Sequence, residues 1–210
     1  MLKIGEITIK KLQSGKFKDV LPEFYELKKV IENNPWHNNE STFTHTLAVL
    51  NELQKFFKNN KNAKLKLYLN KKIDAYRRKE LLFLAIVLHD LGKKETIITK
   101  GKISSFPNHE KISVRKARKI LRNFNLTGKE KDIVLGIIKD HSHIHDIVRP
   151  ENFTLAKQFN EIKKISKNYF IELIIMVMAD TTAGFLKTTN PSEYKFRVDF
   201  YQNELREFEF

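Results

Sequence analysis

The chain has 210 residues, of which 41% are hydrophobic and none is cysteine. A chain of this length can bury one core, so we expect a single domain over residues 1–210. The absence of thiols excludes disulfides and cysteine-held zinc, so any metal must bind to nitrogen and oxygen ligands. The N-terminus lacks a signal-peptide core, and the longest apolar stretch, Leu173 to Ala179, is far shorter than the about 20 residues of a membrane span. We therefore expect a cytoplasmic protein.

The chain is strongly basic, with a formal net charge of +14 and a pI near 9.7. Such a charge suits a polyanionic partner such as nucleic acid. Lysine far outnumbers arginine, however, and asparagine and isoleucine are abundant, a bias that AT-rich coding DNA produces without selection for binding. Both interpretations stay open. The local clusters at 77–79, 93–94 and 115–119 flank histidine-bearing segments and are candidates for steering an anionic substrate.

The first third of the chain predicts a short arm followed by helices. Residues 1–16 alternate loosely between apolar and polar side chains, which favours a short strand or an arm. Apolar residues recur at helical spacing over 19–34 and predict a helix. Ser41 or Thr42 can cap a second helix, which carries His45 in its first turns.

The middle of the chain predicts the central helix of the fold. Residues 58–72 read as a basic, polar connection, and 73–91 as a helix that is almost wholly apolar in its second half. Gly92 is in position to cap the C-terminus of that helix. A loop is expected at 103–108, and a further helix over 109–124.

The last part of the chain also reads as helical. The sequence from Thr127 to Glu130 is a capping-box pattern, and the helix that it opens ends in a histidine-rich segment at 140–146. Two further helices are expected at about 153–166 and 169–186, before a C-terminal amphipathic stretch. Because strand signals are almost absent, the sequence predicts an all-α helical bundle.

Charged residues stand at the ends of two apolar runs. The run from Leu81 to Leu88 ends in His89 and Asp90, and a second run ends in Asp180. An imidazole and a carboxylate at the end of a buried helix are costly to desolvate unless they have a strong partner, and a metal ion is such a partner. The ionisable residues on or beside apolar helix faces are His45, His89, Asp90, His109, His141, His145 and Asp180.

The order His, then His-Asp, then Asp resembles the HD superfamily of metal-dependent phosphohydrolases. The quoted segments are similar to the HD domain of bacterial CCA-adding enzymes: Trp36-His37, Thr44-His45-Thr46-Leu47, His89-Asp90-Leu91-Gly92-Lys93, Asn108-His109-Glu110 with Ser113, and the histidines at 141 and 145. The likeness covers roughly residues 35–185. It implies an HD-domain helical bundle with an N-terminal arm and helix at 1–34 and a C-terminal helical extension at 187–210.

The resemblance implies a set of site residues. A divalent metal ion, which could be Mn, Ni, Co, Fe, Mg or Zn, would be ligated by His45, His89, Asp90 and Asp180. His109 and His141 match positions that hold a second ion in some relatives and contact phosphate in others. Lys93 matches a lysine that usually meets the substrate phosphate.

These residues predict a hydrolase that uses metal-activated water on a phosphoester, either a nucleotide or a terminal or cyclic phosphate of RNA. Asp90 is expected to ligate the metal, orient the water, or do both, while Lys93 and His109 neutralise charge on the phosphoryl oxygens. Protonation of the leaving oxygen is assigned to His141 or His109. The alternative is a nucleic-acid-binding or regulatory module with a structural metal site.

The sequence departs from its relatives in several places. Asn38 and Asn39 replace the Pro-Glu pair often found after Trp-His, and neither a nucleotidyltransferase head nor a Gly-Tyr-Pro segment is present in the 210 residues. Polymerising activity therefore does not follow from the resemblance. We interpret His37 as a packing residue and His143 as a solvated one. The cluster at 115–119 is interpreted as a solvent-exposed helix face or a substrate-steering patch. The C-terminal aromatic residues are expected to pack on the chain's own core or on a second copy.

Overall fold

A computed structural model describes residues 1–208 and shows an all-α fold. The helices are α1 (Ile9–Gln13), α2 (Pro22–Glu26), α3 (Thr42–Asn59), α4 (Ala63–Asn70), α5 (Arg78–Leu88), α6 (Lys93–Thr96), α7 (His109–Ile120), α8 (Gly128–Ile147), α9 (Leu155–Ile165), α10 (Phe170–Ala183), α11 (Leu186–Thr189) and α12 (Pro191–Arg206). Two antiparallel hairpins pair β1 (Ile31–Asn34) with β2 (His37–Ser41), and β3 (Ile98–Lys100) with β4 (Ile103–Ser105). Within residues 1–208, none of the helices combines the length and apolar character needed to cross a membrane.

Two helices, α5 and α10, form the centre of the core. Helix α10 contacts α3, α5, α8 and α12, and its residues from Phe170 to Ala179 are buried. Helix α5 contacts α3, α4, α8 and α10, and its buried face includes almost the whole apolar run. Burial of each large aliphatic side chain stabilises the fold by about 1.5–3 kcal/mol. Because both helices are held so firmly, the charged residues at their C-terminal ends have fixed positions.

The N-terminal region differs from the prediction. Residues 1–16 form a 3₁₀ turn and the short helix α1 instead of a strand, and Ile4, Ile7 and Leu12 enter the core. The helix predicted over 19–34 ends early: α2 and a 3₁₀ turn reach only Lys29, and the chain then enters β1. The β-branched pair at 30–31 and the two asparagines at 33–34 are poor helix formers, which explains the early end.

Two segments predicted to be irregular are ordered. The connection expected at 58–72 contains α4, which Asn62 caps through its side-chain oxygen and which buries Leu65, Tyr68 and Leu69 on one face. The loop expected at 103–108 contains strand β4, paired with β3 across a turn in which Gly101 has a φ of +60°. Strands of three residues are too short to show an alternating pattern in the sequence.

Gly92 does not cap the end of the long apolar helix as predicted. Helix α5 ends at Leu88, and Gly92, with a φ of −83°, is the N-cap residue of the short helix α6. Its role is a close approach between segments. A Cβ atom at this position would lie 2.1 Å from the carbonyl oxygen of His109, and the Gly92 N–H donates to Oγ of Ser113 at 2.8 Å. The glycine therefore lets α7 pack directly against the turn that carries the His-Asp pair.

The other predicted helices are present with small shifts of their ends. Ser41 caps α3 by accepting a hydrogen bond from the Thr44 N–H, and Thr127 and Glu130 form the predicted capping box of α8. The C-terminal aromatic residues pack on the chain's own core: Tyr201 is fully buried, and the Phe200 ring lies 4.7 Å from that of Phe159. Phe210, which belongs to the same predicted stretch, lies outside the described residues.

Candidate metal centre

The structure brings the four predicted metal ligands together. His45 comes from α3, His89 and Asp90 from the turn after α5, and Asp180 from the last turns of α10. One ligand atom each of His45, His89 and Asp90 lie within 4.8 Å of one another. Asp180 joins this group through His45, since its Oδ1 lies 2.6 Å from Nε2 of that histidine. Residues separated by as many as 135 positions in the chain thus meet at one point.

Three histidines point the same ring nitrogen at Asp90. The Nδ1 atoms of His89, His109 and His141 lie 2.7, 2.9 and 2.7 Å from the backbone carbonyl oxygen three residues earlier. A carbonyl oxygen only accepts hydrogen bonds, so Nδ1 carries the proton in each ring. The Nε2 atoms then present lone pairs, and they lie 3.0, 3.1 and 3.8 Å from the oxygens of Asp90. Lone pairs that face carboxylate oxygens repel one another unless a cation or additional protons lie between them.

Several buried polar atoms at this point are unsatisfied. Among the described residues, Nε2 of His89, Nδ1 of His45 and both carboxylate oxygens of Asp90 have no hydrogen-bond partner. Lys93 and His89 approach Oδ2 of Asp90 at ion-pair distance, 2.8 and 3.0 Å, but not in hydrogen-bond geometry. Unsatisfied buried groups are costly. Nitrogen and oxygen donors that converge in this way suit a divalent cation, so the residues present fit the metal that the resemblance implies.

A second group of possible ligands shares Asp90. Its members are Asp90, His109 and His141, whose ligand atoms also lie within 4.8 Å of one another. The Nε2 atoms of the two histidines are 3.2 Å apart, and Ser142 Oγ lies 3.2 Å from that of His141. A nitrogen pair at this distance needs a proton or a cation between the two rings. The geometry therefore keeps both predicted roles open for these histidines: ligation of a second ion, or contact with phosphate.

Lys93 is neutralised inside the protein. Its Nζ lies 2.8 Å from Oε2 of Glu32 and 2.8 Å from Oδ2 of Asp90, and its side chain is only 9% exposed. Burial alone lowers the pKa of Lys93, but the charges of Asp90 and Glu32 outweigh it and raise that pKa above its ordinary value. The lysine is therefore always protonated and holds the two carboxylates in place. The predicted contact with substrate phosphate remains a prediction.

The site contains residues that the sequence analysis did not single out. Glu32, fully buried on β1, pairs with Lys93 and also lies 3.2 Å from Nε2 of His37, whose Nδ1 is 3.0 Å from Glu40. The Nε2 atom of His145, one of the ionisable residues beside apolar helix faces for which the sequence predicted no role, lies 2.9 Å from Oδ2 of Asp180. The hairpin β1–β2 thus supplies one wall of the site. Because the segment of Glu32 read as part of a helix, no sequence signal indicated its burial.

The C-terminal helix α12 closes the same region. Arg197 is 2% exposed, and its Nη1 donates to the carbonyl oxygen of His145 at 2.8 Å. Its Nε and Nη2 donate to Oε1 of Glu193 at 2.8 and 2.6 Å, and the guanidinium lies 4.6 Å from the ring centroid of Trp36. The Trp36 ring in turn packs edge-on against that of His145. Arg197 therefore fixes the backbone from which His145 reaches Asp180.

The electrostatics of the site separate its histidines. Burial lowers the pKa of His45, but the hydrogen bond and charge of Asp180 outweigh it and raise that pKa to about 9. Burial, together with the charges of His89 and His109, holds the pKa of His141 well below its ordinary value. His141 is thus neutral at pH 7, whereas His45 is protonated until a metal displaces its proton.

The carboxylates of the site are held ionised. Burial raises the pKa of Asp90, but the charges of His89 and Lys93 outweigh it and hold that pKa well below its ordinary value. The same holds for Asp180, where hydrogen bonds from His145 and His45 overcome the effect of burial. Ionised carboxylates are the form that binds a metal, and a bound cation would displace the additional protons on His45 and His89, whose pKa values are both raised.

An open cleft of about 770 Å³ borders the cluster through Asp90 and Asp180, while His45 and His89 are not among its lining residues. The volume of the cleft is large enough for a nucleotide-sized ligand, and its lining carries both signs of charge. Its lining includes Asp90, Lys93, His109, His141, His145, Asp180, Arg149, Arg197 and Trp36.

An all-α bundle that joins a His, a His-Asp pair and a distant Asp beside an open cleft defines a class of metal-dependent domain. A family model for the HD domain matches residues 42–182, so the chain belongs to the HD-domain family. Relatives include two proteins named multifunctional CCA protein, from Mannheimia succiniciproducens, 27% identical over 93% of this chain, and from Pasteurella multocida, 28% identical over 96%. The chain spans 43% and 44% of the length of these relatives.

Proposed function

We propose that this protein is a divalent-metal-dependent phosphohydrolase that acts on a phosphoester of a nucleotide or of an RNA terminus. The observation that carries this proposal is the convergence of His45, His89 and Asp90, with unsatisfied donor atoms, beside an open cleft that Asp90 lines. Membership of the HD-domain family supports the same chemistry. The names of the relatives, which are CCA proteins, favour a nucleotide or RNA substrate, and so does the net charge of +14.

We assign His45, His89, Asp90 and Asp180 as the residues that hold the ion. A bound divalent ion would lower the pKa of a water molecule toward neutrality and polarise a phosphoryl oxygen. Mixed imidazole and carboxylate ligands suit Mn, Fe, Co, Ni or Zn better than Mg, which prefers oxygen ligands alone. The group at Asp90, His109 and His141 is where a second ion would bind.

The remaining residues of the cleft handle protons and phosphate charge. When only the ion at the first four ligands is bound, His109 is not a ligand, and we assign protonation of the leaving oxygen to it, because His141 is held neutral and the His109 side chain is 12% exposed at the cleft. A divalent ion bound by Asp90 would offset the charge of that carboxylate, and the charge of Lys93 would then favour negative charge that develops on the phosphoryl oxygens. We also assign to Arg149, whose side chain is 45% exposed at the rim of the cleft, a contact with the phosphate oxygens of the substrate.

The test is an assay of the protein supplied with Mn, Ni, Co, Mg or Zn on cyclic nucleotides, nucleoside monophosphates and a generic aryl phosphate. We expect turnover with at least one ion, and a loss of roughly a thousandfold or more in His89→Ala and Asp90→Ala. His143→Ala is the matched control, because this histidine is exposed and lies on the same helix as His141. Elemental analysis should find a transition metal in the wild type and less in the two site variants.

Two outcomes would contradict the proposal. If the wild type is inactive with every ion yet binds RNA with a steep salt dependence, the protein is a nucleic-acid-binding module with a structural metal site. If either alanine variant keeps wild-type turnover, the hydrolysis takes place at another site.

A further inference from the structure

A difference in hydrogen bonding separates His45 from the other histidines of the two ligand groups at Asp90. In His89, His109 and His141, Nδ1 donates to a backbone carbonyl oxygen at 2.7–2.9 Å, and this bond fixes the ring with Nε2 toward Asp90. The Nδ1 atom of His45 is buried and, among the described residues, has no hydrogen-bond partner. The backbone therefore fixes the tautomer of three of these rings and leaves that of His45 to another group.

Glu40 is the only acidic side chain within residues 1–208 that lies within 4 Å of this nitrogen. Its Oε1 is 3.8 Å from Nδ1 of His45, whereas Asp180 lies at the other nitrogen of the ring, 2.6 Å from Nε2. A hydrogen bond of ordinary length would bring Oε1 and Nδ1 about 0.8 Å closer. The same Oε1 accepts from Nδ1 of His37 at 3.0 Å, and a carboxylate oxygen can accept a second hydrogen bond.

The backbone before Glu40 directs its side chain toward the site. In the register of the β1–β2 hairpin, Glu32 lies opposite Glu40, and Asn34 lies opposite His37. Strand β2 thus has two residues between these positions where β1 has one, which defines a β-bulge, and Asn39 within it has a φ of +52°. Because side chains alternate along a regular strand, His37 and Glu40 would otherwise point to opposite faces. The bulge turns Glu40 onto the face that carries His37 and Glu32.

The neighbouring His37 holds Glu40 beside the ring of His45. The rings of the two histidines pack edge-on, with their centroids 4.4 Å apart and their planes at 87°. Nε2 of His37 lies 3.2 Å from Oε2 of Glu32, which in turn pairs with Lys93 at 2.8 Å. His37 is thus fixed at both nitrogens, and the Glu40 carboxylate is fixed through it.

A bound ion would make an acceptor at this position necessary. Nε2 of His45 faces Asp180, so this atom would ligate an ion that both residues hold. The proton of the neutral ring would then lie on Nδ1, because only one nitrogen of a neutral imidazole carries a proton. His45 is 2% exposed, and a buried N–H without an acceptor is destabilising. A carboxylate at the second nitrogen of a ligating histidine removes this cost and orients the ring.

We propose that Glu40 is a positioning residue of the metal centre, which accepts the Nδ1–H of His45 and so holds Nε2 of that ring toward the ion. This inference rests on the proposed function, which supplies the ion. The ligand atoms of His37, Glu40 and His45 also lie within 4.8 Å of one another, but among them only Nδ1 of His45 lacks a hydrogen-bond partner. At His89 and Asp90, by contrast, three such atoms are unsatisfied, which favours the ion on the Nε2 side of His45.

The experiment measures the affinity for zinc by chelator competition in the wild type, Glu40→Ala and Glu40→Gln. We expect the dissociation constant to rise about ten- to a hundredfold in Glu40→Ala, because supporting contacts of this kind tune metal affinity by that amount. In Glu40→Gln it should rise only about three- to tenfold, because the amide oxygen still accepts a hydrogen bond but without the charge of a carboxylate. An affinity within about twofold of the wild type in either variant would overturn the proposal.

Glu110 offers a matched control at another histidine of the site. Its Oε2 lies 3.8 Å from Nδ1 of His109, the same separation as between Glu40 and His45, but this Nδ1 already donates to the carbonyl oxygen of Phe106 at 2.9 Å. Glu110→Ala should therefore leave zinc affinity within about twofold of the wild type. Equal losses in Glu110→Ala and Glu40→Ala would show a general effect of charge and overturn the proposal.

Ring NMR of the zinc-loaded protein gives a readout that a purely structural role of Glu40 would not change. Long-range proton–nitrogen spectra show which nitrogen of each histidine carries a proton, and comparison with His45→Gln identifies the signals of His45. We expect a protonated Nδ1 and a zinc-bound Nε2 in the wild type, with the Nδ1–H signal lost in Glu40→Ala and kept in Glu110→Ala. Zinc bound through Nδ1 of His45 would place the ion between His37 and Glu40 and overturn the proposal.

Turnover separates this inference from the proposed function. Zinc binding that depends on Glu40, in a protein that hydrolyses none of the test phosphoesters with any ion, would support the positioning role and refute the hydrolase. Metal-dependent turnover combined with unchanged zinc affinity in both Glu40 variants would overturn the positioning role and leave the hydrolase intact.

Discussion

Two buried carboxylates, Asp90 and Glu172, show what distinguishes a candidate site from a structural ion pair. Glu172, in the first turn of α10, accepts hydrogen bonds at both oxygens: from Arg78 Nη1 at 2.6 Å and from the Tyr68 hydroxyl at 3.0 Å. Asp90 is buried to the same degree, yet neither of its oxygens has a hydrogen bond among the described residues. Both groups have a cation at ion-pair distance, so charge pairing alone does not separate them. The difference is whether other groups of the protein donate hydrogen bonds to the carboxylate oxygens.

Glu130 supports the same distinction. This buried carboxylate accepts from the backbone N–H groups of Ala75 and Tyr76 at 2.7 Å and from that of Thr127 at 3.0 Å. Its hydrogen bonds hold the connection before α5 against the start of α8. Carboxylates of this kind have their hydrogen bonds satisfied within the fold, whereas the carboxylate oxygens of Asp90 do not. A buried acid that is rigidly placed and unsatisfied is therefore a better indicator of a ligand site than burial or pairing.

The largest effect expected from this comparison is on catalysis. Asp90→Asn should lower the turnover of a small phosphoester by roughly a thousandfold or more, because a neutral amide neither balances the charge of an ion nor orients a water as a carboxylate does. Glu172→Gln, assayed per folded protein, should keep turnover within about threefold, since it lies on the far side of the core. A comparable loss in both variants would remove the distinction between the two carboxylates.

Stability should respond in the opposite order. Glu172→Ala leaves the largely buried Arg78 guanidinium without its anion, and we expect the free energy of unfolding to fall by about 3 kcal/mol. Asp90→Asn in metal-free protein removes a charge that His89 and Lys93 stabilise but leaves Lys93 paired with Glu32, so we expect a smaller loss of about 1–3 kcal/mol. Urea unfolding in the presence of EDTA measures both. The double variant Arg78→Leu/Glu172→Leu is the control, and it should recover most of the loss.

The sequence predicted the parts of the site that local pattern determines. Apolar runs that end in charge located His89, Asp90 and Asp180, and helical periodicity with cap residues located α3, α7 and α8, including the capping box at Thr127. These signals depend on neighbours within one or two turns. The convergence of the residues in space came from the resemblance to a family, because no local rule relates position 45 to position 180.

The parts that were missed depend on contacts between distant residues. Glu32 looks like a solvated helical residue in the sequence, and it is buried only because Lys93, 61 positions later, neutralises it. Arg197 likewise reads as one basic residue of an amphipathic helix until the carbonyl oxygen of His145 is placed beside it. The two hairpins are similar cases: their strands are three to five residues long, too short for a periodic signal.

The His45–Asp180 pair gives a pH-dependent test that Glu172 does not share. The pKa of His45 is raised from 6.5 to about 9 in the folded protein, so the pair contributes stability that is fully present below pH 6.5 and is lost as the pH rises through 9. The stability difference between wild type and Asp180→Asn should therefore be about 3 kcal/mol larger at pH 6 than at pH 9.5. Urea unfolding of metal-free protein at the two pH values measures it. A pH-independent difference would show that His45 is neutral in the folded state, and His143→Gln should show no such trend.

The smallest effect is expected at Arg197, which touches the site only through the backbone of His145. Arg197→Lys keeps the charge but cannot hold Glu193 and the carbonyl oxygen together while stacking on Trp36. We expect metal affinity, measured by chelator competition, to fall about tenfold, because supporting contacts of this kind tune ligand placement. Melting temperature and KM should change little, and Arg206→Lys on the same helix should leave all three quantities unchanged. A large drop in melting temperature with unaltered metal affinity would instead make Arg197 a fold-stabilising residue, comparable to Arg78, because its bonds would then serve α12 and not the ligands.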